Sequence, residues 1–319
     1  MSFGLTRVGL KEGAATREAF GDALAEIGTD ERVVVLDGDV NNSTFTNKFA
    51  ERYPERFFNV GIAESNMVGI AAGLAACNKI PVAASFSTFL MSNAFDQIRM
   101  SIAFPNQNVK LVGSHAGISI GEDGPSQMAI EDVALACALP GFTVIVPADG
   151  PSAAAATKVM IETEGPMFLR CRRPKVPVIY ENGADFHLGK ANELRRGDDI
   201  TIIANGIMVA MALDAAETLA DDGVEARVLD MHTVKPIDVE AIERAANETG
   251  GLVVAEEHLA YGGLGATVAM VVAERKPARL QFVNIGDTYA TSGTPDELLT
   301  QYGLTPDAIL DAARRVLKD

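Results

Sequence analysis

Short runs of β-branched residues alternate with segments of helical periodicity along most of this sequence. Val33–Leu36, Val82–Ser85 and Val109–Val112 are typical of buried parallel strands. Before the first of these strands, an amphipathic segment begins after Thr16, which is suited to cap a helix, and ends at Gly28. Strands that alternate with helices predict an α/β fold with a mainly parallel sheet.

The same alternation continues through the chain, with one interruption. Further helices are predicted over Val60–Ala76, Phe95–Ala103, Met128–Ala138, Pro151–Glu162, Val209–Ala220, Ala266–Glu274 and two C-terminal segments. Further strands are predicted over Thr143–Val146, Met167–Arg170, Ile200–Ala204, Ala226–Leu229, Leu252–Ala255 and Gln281–Ile285. Between Arg173 and about Gly189 the pattern is lost. We therefore predict two three-layer α/β domains, residues 1–175 and 191–319, joined by a linker over 176–190.

The charge balance limits the kinds of partner. The 319 residues carry 27 Lys+Arg against 43 Asp+Glu, a net charge of −16, which argues against nucleic acid or an anionic membrane. The N-terminus lacks the apolar core of a signal peptide, and no apolar run is long enough to span a membrane. Three scattered cysteines favour neither a disulfide framework nor a metal cluster. We expect a soluble, cytoplasmic protein.

Residues 113–127, GSHAGISIGEDGPSQ, form the densest candidate site. They follow a predicted strand and precede a predicted helix, the position where open α/β sheets bind ligands. His115 comes directly after the strand, where it could donate a hydrogen bond to a substrate oxygen. An ordinary glycine-rich loop with a satisfied histidine is the alternative interpretation.

A carboxylate and two aromatic side chains form further candidates. Glu64 begins a helix that is otherwise very apolar, where it either complements the helix dipole or shares a proton with a ligand nitrogen. Phe89 and Phe95 lie at a strand–helix junction, where they belong either to the core or to a stacking platform for a flat ring. Four arginines at strand ends and helix starts either bind a phosphate or form ion pairs: Arg17, Arg170, Arg172 and Arg173.

Taken together, these segments resemble a known family. LDGDVNNSTF, GIAESNMVGIAAGLA, GSHAGISIGEDGPSQMAIED, FLRCRRP and LDMHTVKPID…EEHLAYGGLG are similar to the C-terminal two-thirds of transketolases, above all of the animal-type branch. The resemblance covers essentially the whole chain. It implies a pyrimidine-binding domain over 1–175 and a transketolase C-terminal domain over 191–319.

One part of a complete transketolase has no counterpart among the segments that carry the resemblance. The family holds the diphosphate of thiamine diphosphate through Mg²⁺ with a GDG…N motif in a preceding domain. Here Asp37–Asp39 and Glu122–Gly124 are GDG-like, but neither is followed by the required Asn at the family's spacing, and residue 1 lies just before the pyrimidine-binding domain. We therefore expect no metal ligands in this chain and an N-terminal transketolase subunit as its partner.

The resemblance also implies roles for individual residues. Glu64 matches the catalytic carboxylate that hydrogen-bonds the cofactor's pyrimidine nitrogen, and His115 matches a group that contacts the donor sugar and takes part in catalysis. The cofactor-binding side chains implied are Glu64, Phe89, Phe95 and Asp39. The substrate-binding side chains implied are Arg17, Ser43 and Arg173 for the phosphate, and His115, Asp123 and Gln127 along the sugar. Gln127 stands where yeast-like and bacterial transketolases carry a His, as in the animal-type branch.

The activity implied is transfer of a two-carbon ketol unit from a ketose phosphate to an aldose phosphate, with thiamine diphosphate and with Mg²⁺ held mainly by the partner. We expect a homodimer of this chain within a two-plus-two heterotetramer. One alternative is the beta subunit of a 2-oxo acid dehydrogenase first component, whose HSQ-type motif is absent here. The others are a 1-deoxyxylulose-5-phosphate synthase-like enzyme and a non-catalytic subunit, and the presence of Glu64 argues against the latter.

Overall fold

The computed structural model describes residue 3, residues 5–181 and residues 184–318. The strands are β1 (Glu12–Ala15), β2 (Val33–Asp37), β3 (Phe57–Asn59), β4 (Ile80–Phe86), β5 (Lys110–Ser114), β6 (Thr143–Ile145), β7 (Met167–Arg170), β8 (Lys175–Pro177), β9 (Asn192–Arg195), β10 (Ile200–Ala204), β11 (Ala226–Asp230), β12 (Thr233–Lys235), β13 (Leu252–Ala255) and β14 (Leu280–Val283). The helices are α1 (Thr16–Ile27), α2 (Asn41–Thr44), α3 (Asn47–Arg52), α4 (Glu64–Ala76), α5 (Phe95–Gln97), α6 (Asp132–Cys137), α7 (Gly150–Glu162), α8 (Met208–Asp221), α9 (Val239–Glu248), α10 (Leu264–Arg275), α11 (Pro295–Gln301) and α12 (Pro306–Lys318).

The first sheet has the strand order β12-β6-β7-β5-β4-β2-β3 and is parallel except at β12. Its interior strands are buried, as the β-branched runs predict. One face packs on α4 and α6 through a core that includes Met67, Ile98 and Val133. The other face packs on α1 and α7 through a core that includes Phe20 and Met160. This unit therefore has three layers.

The second sheet has the order β14-β13-β10-β11-β9, with β9 antiparallel to β11 and the other pairs parallel. Helices α8 and α12 cover one face through Met211, Leu219 and Ile309. Helices α9 and α10 cover the other face through Ile242 and Val268. The prediction of two three-layer α/β units is confirmed.

The two sheets are joined by more than the connecting segment. Strand β12 follows β11 of the second sheet but pairs antiparallel with β6 of the first, with Thr233 opposite Ile145. The backbone N–H of Val146 also donates to the carbonyl of His232, at 2.8 Å. We retain 1–175, 176–190 and 191–319 as proposed divisions of the chain. Of these residues, 1, 2, 4, 182, 183 and 319 lie outside the described part.

Several elements differ from the sequence prediction at their ends. The helix predicted over Val60–Ala76 begins at Glu64, because the preceding residues form a turn in which Gly61 has a φ of +76°. The helix predicted over Met128–Ala138 begins only at Asp132. The helix predicted over Phe95–Ala103 ends in a π-helical turn over Ile98–Ala103 and is preceded by another over Phe89–Asn93.

Some elements were not predicted at all. Helices α2, α3 and α9 and the short strands β1, β3, β8, β9 and β12 are absent from the sequence prediction. Strand β8 lies partly within the predicted linker and pairs with β1. These strands are three or four residues long, so hydrogen bonds to a neighbour define them rather than periodicity. Thr16 is also the first residue of α1 rather than its cap, and its hydroxyl accepts a hydrogen bond from the backbone N–H of Arg172, at 2.7 Å.

Candidate active site at the carboxyl edge of the first sheet

The carboxyl ends of β2, β4, β5 and β7 lie side by side in the first sheet. Phe86 at the end of β4 is opposite Ser114 at the end of β5, and Gly113 of β5 is opposite Arg170 of β7. The loops that follow these strands therefore start at one edge, where open α/β sheets bind ligands. They contain most of the site residues predicted from the sequence.

Glu64 is the first residue of α4 and is buried, with 3% of its surface exposed. Its Oε1 accepts a hydrogen bond from Ser85 Oγ at 2.8 Å, and no group in the described part of the chain donates to Oε2. Gly38 faces this pair, and a Cβ there would lie 2.9 Å from Ser85 Oγ and 3.4 Å from Oε1. The carboxylate therefore keeps one oxygen without a donor among the described residues, beside a position where only glycine leaves room.

Asp37, at the end of β2, shapes the neighbouring loop. Its carboxylate accepts hydrogen bonds from the N–H of Val40 at 2.7 Å and from the hydroxyls of Thr44 at 2.7 Å and Thr46 at 2.8 Å. Burial raises the pKa of the Asp37 carboxyl, and these hydrogen bonds oppose the rise. The network fixes α2, and with it the carbonyl of Ser43.

Arg17 and Arg173 line an open pocket of about 330 Å³ together with Ser119, Ile120, Glu122, Pro174, Lys175 and Pro295. Arg17 Nη1 donates to the carbonyl of Ser43 at 2.6 Å and its Nε to the carbonyl of Arg173 at 3.2 Å. Arg173 Nη1 donates to the carbonyl of Ile120 at 2.8 Å. The Nη2 of each guanidinium makes no hydrogen bond within the described residues. The pocket is therefore lined by three cations, Arg17, Arg173 and Lys175, and by the Glu122 carboxylate, which lies 3.8 Å from Arg173 Nη1. The two arginines, held by backbone carbonyls, can still contact an anion.

The other two candidate arginines form ion pairs instead. Arg170 Nε donates to both oxygens of Asp132, at 3.0 and 2.8 Å, and both side chains are buried. Arg172 pairs with Glu257, which comes from the second unit. For these two arginines the ion-pair interpretation is therefore correct, and they are not part of the pocket.

His115 is buried and has a φ of +60°, the left-handed conformation that few non-glycine residues adopt. Its Nε2 lies 3.3 Å from Arg17 Nη1 and its Nδ1 lies 2.8 Å from Ser114 Oγ. Burial, together with the positive charges of Arg17 and Arg173, lowers the pKa of His115 to about 3. Because the guanidinium can only donate, Nε2 accepts, and the neutral imidazole carries its proton on Nδ1.

An aromatic stack extends from His115 along the edge of the sheet. The Phe86 ring lies 3.8 Å from the imidazole and 6.0 Å from the Phe89 ring, with interplanar angles of 20° and 10°. Phe95, by contrast, is half-buried and packs against the core beside α4. Phe86 was not among the residues predicted from the sequence. Its position directly after the predicted strand Val82–Ser85, like that of His115 after its own strand, was the available signal.

The remaining predicted residues lie on loops around the edge. Asp39 is exposed, has a φ of +68° and accepts a hydrogen bond from Asn59 Nδ2 at 2.6 Å. Ser43 contributes its carbonyl to Arg17. Asp123 is partly exposed and its carboxylate lies 3.6 Å from Arg173 Nη1. Gln127 Oε1 accepts a hydrogen bond from Ser126 Oγ at 2.6 Å.

The described residues, 3, 5–181 and 184–318, were also predicted to contain neither a metal cluster nor a membrane span. Among them, no group of three or more His, Cys, Asp or Glu side chains is arranged to hold a metal ion. Their helices also include none that combines the length and apolar character needed to cross a membrane.

Comparison with known proteins identifies both units. The family model "Transketolase, pyrimidine binding domain" matches residues 12–178, and "Transketolase, C-terminal domain" matches residues 189–309. A putative transketolase C-terminal section from Methanocaldococcus jannaschii is 42% identical over 307 residues, which cover 95% of each chain. A 6-deoxy-6-sulfo-D-fructose transketolase subunit from Clostridium sp. is 43% identical over 302 residues, which cover 94% of each.

Single-chain relatives and a solved structure are also similar. Human transketolase is 41% identical over 308 residues, which cover 95% of this chain but 49% of the human protein. The solved structure titled "Split gene transketolase, inactive beta4 tetramer" superposes with a TM-score of 0.90 at 45% identity, covering 96% of this chain and 99% of that one. The resemblance inferred from the motifs is thereby confirmed, and the chain belongs to the transketolase family.

Proposed function

We propose that this chain is the pyrimidine-side subunit of a split, thiamine diphosphate-dependent transketolase. Its activity is transfer of a two-carbon ketol unit from a ketose phosphate to an aldose phosphate. The observation that carries the proposal is the buried Glu64 carboxylate at the same sheet edge as the two arginines of the pocket. Ser85 holds its Oε1, and no donor among the described residues contacts its Oε2.

The residues present fit the pyrimidine half of thiamine diphosphate. Glu64 Oε2 is available to a ring nitrogen, and Gly38 leaves space that any Cβ would fill. Phe89, with Phe86 beneath it, offers a flat ring for stacking. The bound cofactor supplies the carbanion chemistry. Glu64 would hold the pyrimidine nitrogen in its protonated form, so that the exocyclic nitrogen can act as a base.

The pocket of Arg17 and Arg173 fits the phosphate of a sugar. Their Nη2 atoms are unused within the described residues, and charge-assisted hydrogen bonds from guanidinium groups suit a phosphate dianion. His115 lies between this pocket and the aromatic stack, where the sugar chain would pass. With its proton on Nδ1, His115 Nε2 accepts a hydrogen bond from a donor hydroxyl when the sugar displaces Arg17 from it.

The cofactor's diphosphate and its Mg²⁺ belong to a separate N-terminal subunit in this proposal. Support comes from the relative named as a C-terminal section, which this chain matches along 95% of both lengths. Oxygen ligands for Mg²⁺ would come mainly from that subunit. We propose a homodimer of this chain within a two-plus-two complex, since a two-fold interface would pair the two active sites.

The test is to co-express this chain with a diphosphate-binding transketolase subunit and assay the complex with thiamine diphosphate and Mg²⁺. Xylulose 5-phosphate with ribose 5-phosphate is expected to give ketol transfer. A parallel assay with 6-deoxy-6-sulfo-D-fructose asks whether the two arginines accept a sulfonate, as the name of one relative suggests.

Pyruvate as the donor, tested with two different acceptors, separates the enzyme alternatives. Turnover of pyruvate with a lipoyl acceptor would favour the beta subunit of a 2-oxo acid dehydrogenase. Turnover of pyruvate with glyceraldehyde 3-phosphate would favour a 1-deoxyxylulose-5-phosphate synthase-like enzyme. Either result, without ketol transfer from xylulose 5-phosphate, would contradict the proposal.

A further inference from the structure

Glu257 comes from the second unit but directs its carboxylate into the first. It follows β13 in a loop and is buried, with 1% of its surface exposed. Its Oε1 accepts a hydrogen bond from the backbone N–H of Ser119 at 2.7 Å. Its Oε2 pairs with Arg172 Nη2. Both partners lie next to the arginine pocket.

Arg172 also contacts Ser119, which lies in the turn Gly117–Ile120 of the first unit. Its Nη1 donates to Ser119 Oγ at 3.1 Å, so Ser119 is held through both its backbone and its hydroxyl. Arg170 Nη2 donates to the backbone carbonyl of Glu257 at 3.1 Å, which fixes the loop that carries the carboxylate. The Glu257 carboxylate therefore binds the Gly117–Ile120 segment and Arg172 of the first unit.

The turn is built to accept this carboxylate. Gly117 has a φ of +82°, and a Cβ there would collide with the carboxyl group of Glu257. A side chain at position 117 would thus be excluded both by the backbone conformation and by the buried acid. Only glycine lets the carboxylate approach the Ser119 N–H this closely.

The turn leads directly to the pocket. The carbonyl of Ile120, one residue after Ser119, accepts the hydrogen bond from Arg173 Nη1 at 2.8 Å. Ser119 and Ile120 themselves line the pocket, as does Pro295 at the start of α11 in the second unit. A shift of the turn would therefore move Arg173 and change the pocket's shape.

We infer that Glu257 is a positioning residue for the sugar-phosphate pocket, through which the C-terminal unit fixes the Gly117–Ile120 turn and Arg173. The inference rests on the proposed function. It gives the C-terminal unit an indirect role in substrate binding, in which Glu257 itself does not contact the substrate.

The test compares Glu257→Gln with Glu256→Gln in the reconstituted complex. Glu256 is an adjacent buried acid, but its carboxylate accepts hydrogen bonds from the N–H groups of Leu264 and Gly265, both at 2.7 Å, within the second unit. We expect Glu257→Gln to raise KM for xylulose 5-phosphate about tenfold, because the Arg173 guanidinium that would contact its phosphate is displaced. The KM for hydroxypyruvate, which has no phosphate, should change much less. Glu256→Gln is expected to affect both donors equally.

Two further measurements do not depend on turnover. Hydrogen exchange of the Ser119 amide is expected to accelerate in Glu257→Gln but not in Glu256→Gln. Binding of ribose 5-phosphate, measured by calorimetry, should weaken in parallel. In Gly117→Ala the added Cβ would displace the Glu257 carboxylate from the Ser119 N–H. This variant should therefore show the same rise in KM for the phosphorylated donor.

Unchanged exchange at Ser119, or an equal rise in KM for both donors, would overturn the inference. If the wild-type complex transfers no ketol unit at all, the proposed function fails. In that case faster Ser119 exchange with weaker ribose 5-phosphate binding would still support the positioning role, and the absence of both would overturn it.

Discussion

Arg17 Nη1 lies 3.3 Å from His115 Nε2, which joins the proposed phosphate pocket to the aromatic stack at the carboxyl edge of the first sheet. The same nitrogen of Arg17 donates to the carbonyl of Ser43. The guanidinium therefore holds together the loops that follow β2 and β5. Its positive charge also contributes, after burial, to the lowered pKa of His115.

We expect His115 to remain neutral across the physiological range. The pKa of His115 is lowered to about 3, first by burial and then by Arg17 and Arg173, so its imidazole resonances should not titrate between pH 5 and 8. Arg17→Met removes one of the repelling charges and is expected to raise this pKa toward the ordinary 6.5 without reaching it. NMR of the four histidines, assigned by substitution, measures both. A His115 titration near 6.5 in the unsubstituted chain would contradict the structure.

Glu64→Gln is expected to lower ketol transfer by at least about 100-fold while leaving fold and assembly intact, since the amide cannot stabilise a protonated ring nitrogen. The amide oxygen can still accept the hydrogen bond from Ser85. The measurements are turnover and exchange of the cofactor's C2 proton in the reconstituted complex, with Glu55→Gln at an exposed position as control. Near-normal proton exchange would refute the role proposed for Glu64.

Arg173→Ala should raise KM for phosphorylated donors about ten- to a hundred-fold, because a lost charge-assisted hydrogen bond costs about 1.5–3 kcal/mol. Hydroxypyruvate, which has no phosphate, should be affected much less. Arg196→Ala, whose side chain is 95% exposed in the second unit, serves as the control. Equal losses with both donors would mean that Arg173 serves the fold or the interface between subunits.

Asp230 should make the chain less stable as the pH rises through 7. It is fully buried, Tyr180 donates to its Oδ2 at 2.7 Å, and its Oδ1 has no partner among the described residues. Burial and the negative charge of Asp149 raise the pKa of Asp230 from 3.8 to about 7. The folded chain therefore binds more protons than the unfolded chain between these values, and this stability is lost as the carboxyl ionises.

Asp230→Asn removes that ionisation and keeps an acceptor for Tyr180. We expect the Tm difference between pH 5 and pH 8 to shrink by about 2 °C or more, with the variant relatively more stable at pH 8. Asp198→Asn, at a side chain that is 96% exposed, should leave the pH dependence unchanged. An unchanged pH dependence in Asp230→Asn would contradict the raised pKa.

This chain alone is expected to bind thiamine diphosphate weakly and to show no transketolase activity. The diphosphate carries most of the cofactor's charge and needs a metal held by oxygen ligands. Adding a diphosphate-binding subunit should restore activity, and removing Mg²⁺ from the complex with a chelator should abolish it. Calorimetry, turnover and light scattering follow binding, activity and mass. Full activity of the lone chain would contradict the split-subunit proposal.

The alternation of strands and helices was enough to predict the α/β class and the positions of the long elements. β2 and β10 are found where the sequence predicted them, because a buried parallel strand must be apolar along its whole length. The motifs around Glu64 and His115 were sufficient to identify the family. They also located the candidate residues at strand ends, where glycines and isolated polar residues interrupt the apolar pattern.

The tertiary structure decided which of those residues meet. Four arginines looked equivalent in the sequence, but packing placed Arg170 and Arg172 in buried ion pairs and left Arg17 and Arg173 facing a pocket. Phe86, rather than Phe95, completes the aromatic stack, and Glu257 reaches the Ser119 turn from 138 residues away. Local sequence encodes burial and periodicity. Contacts between distant side chains depend on sheet order and on how the two units pack, which no local pattern records.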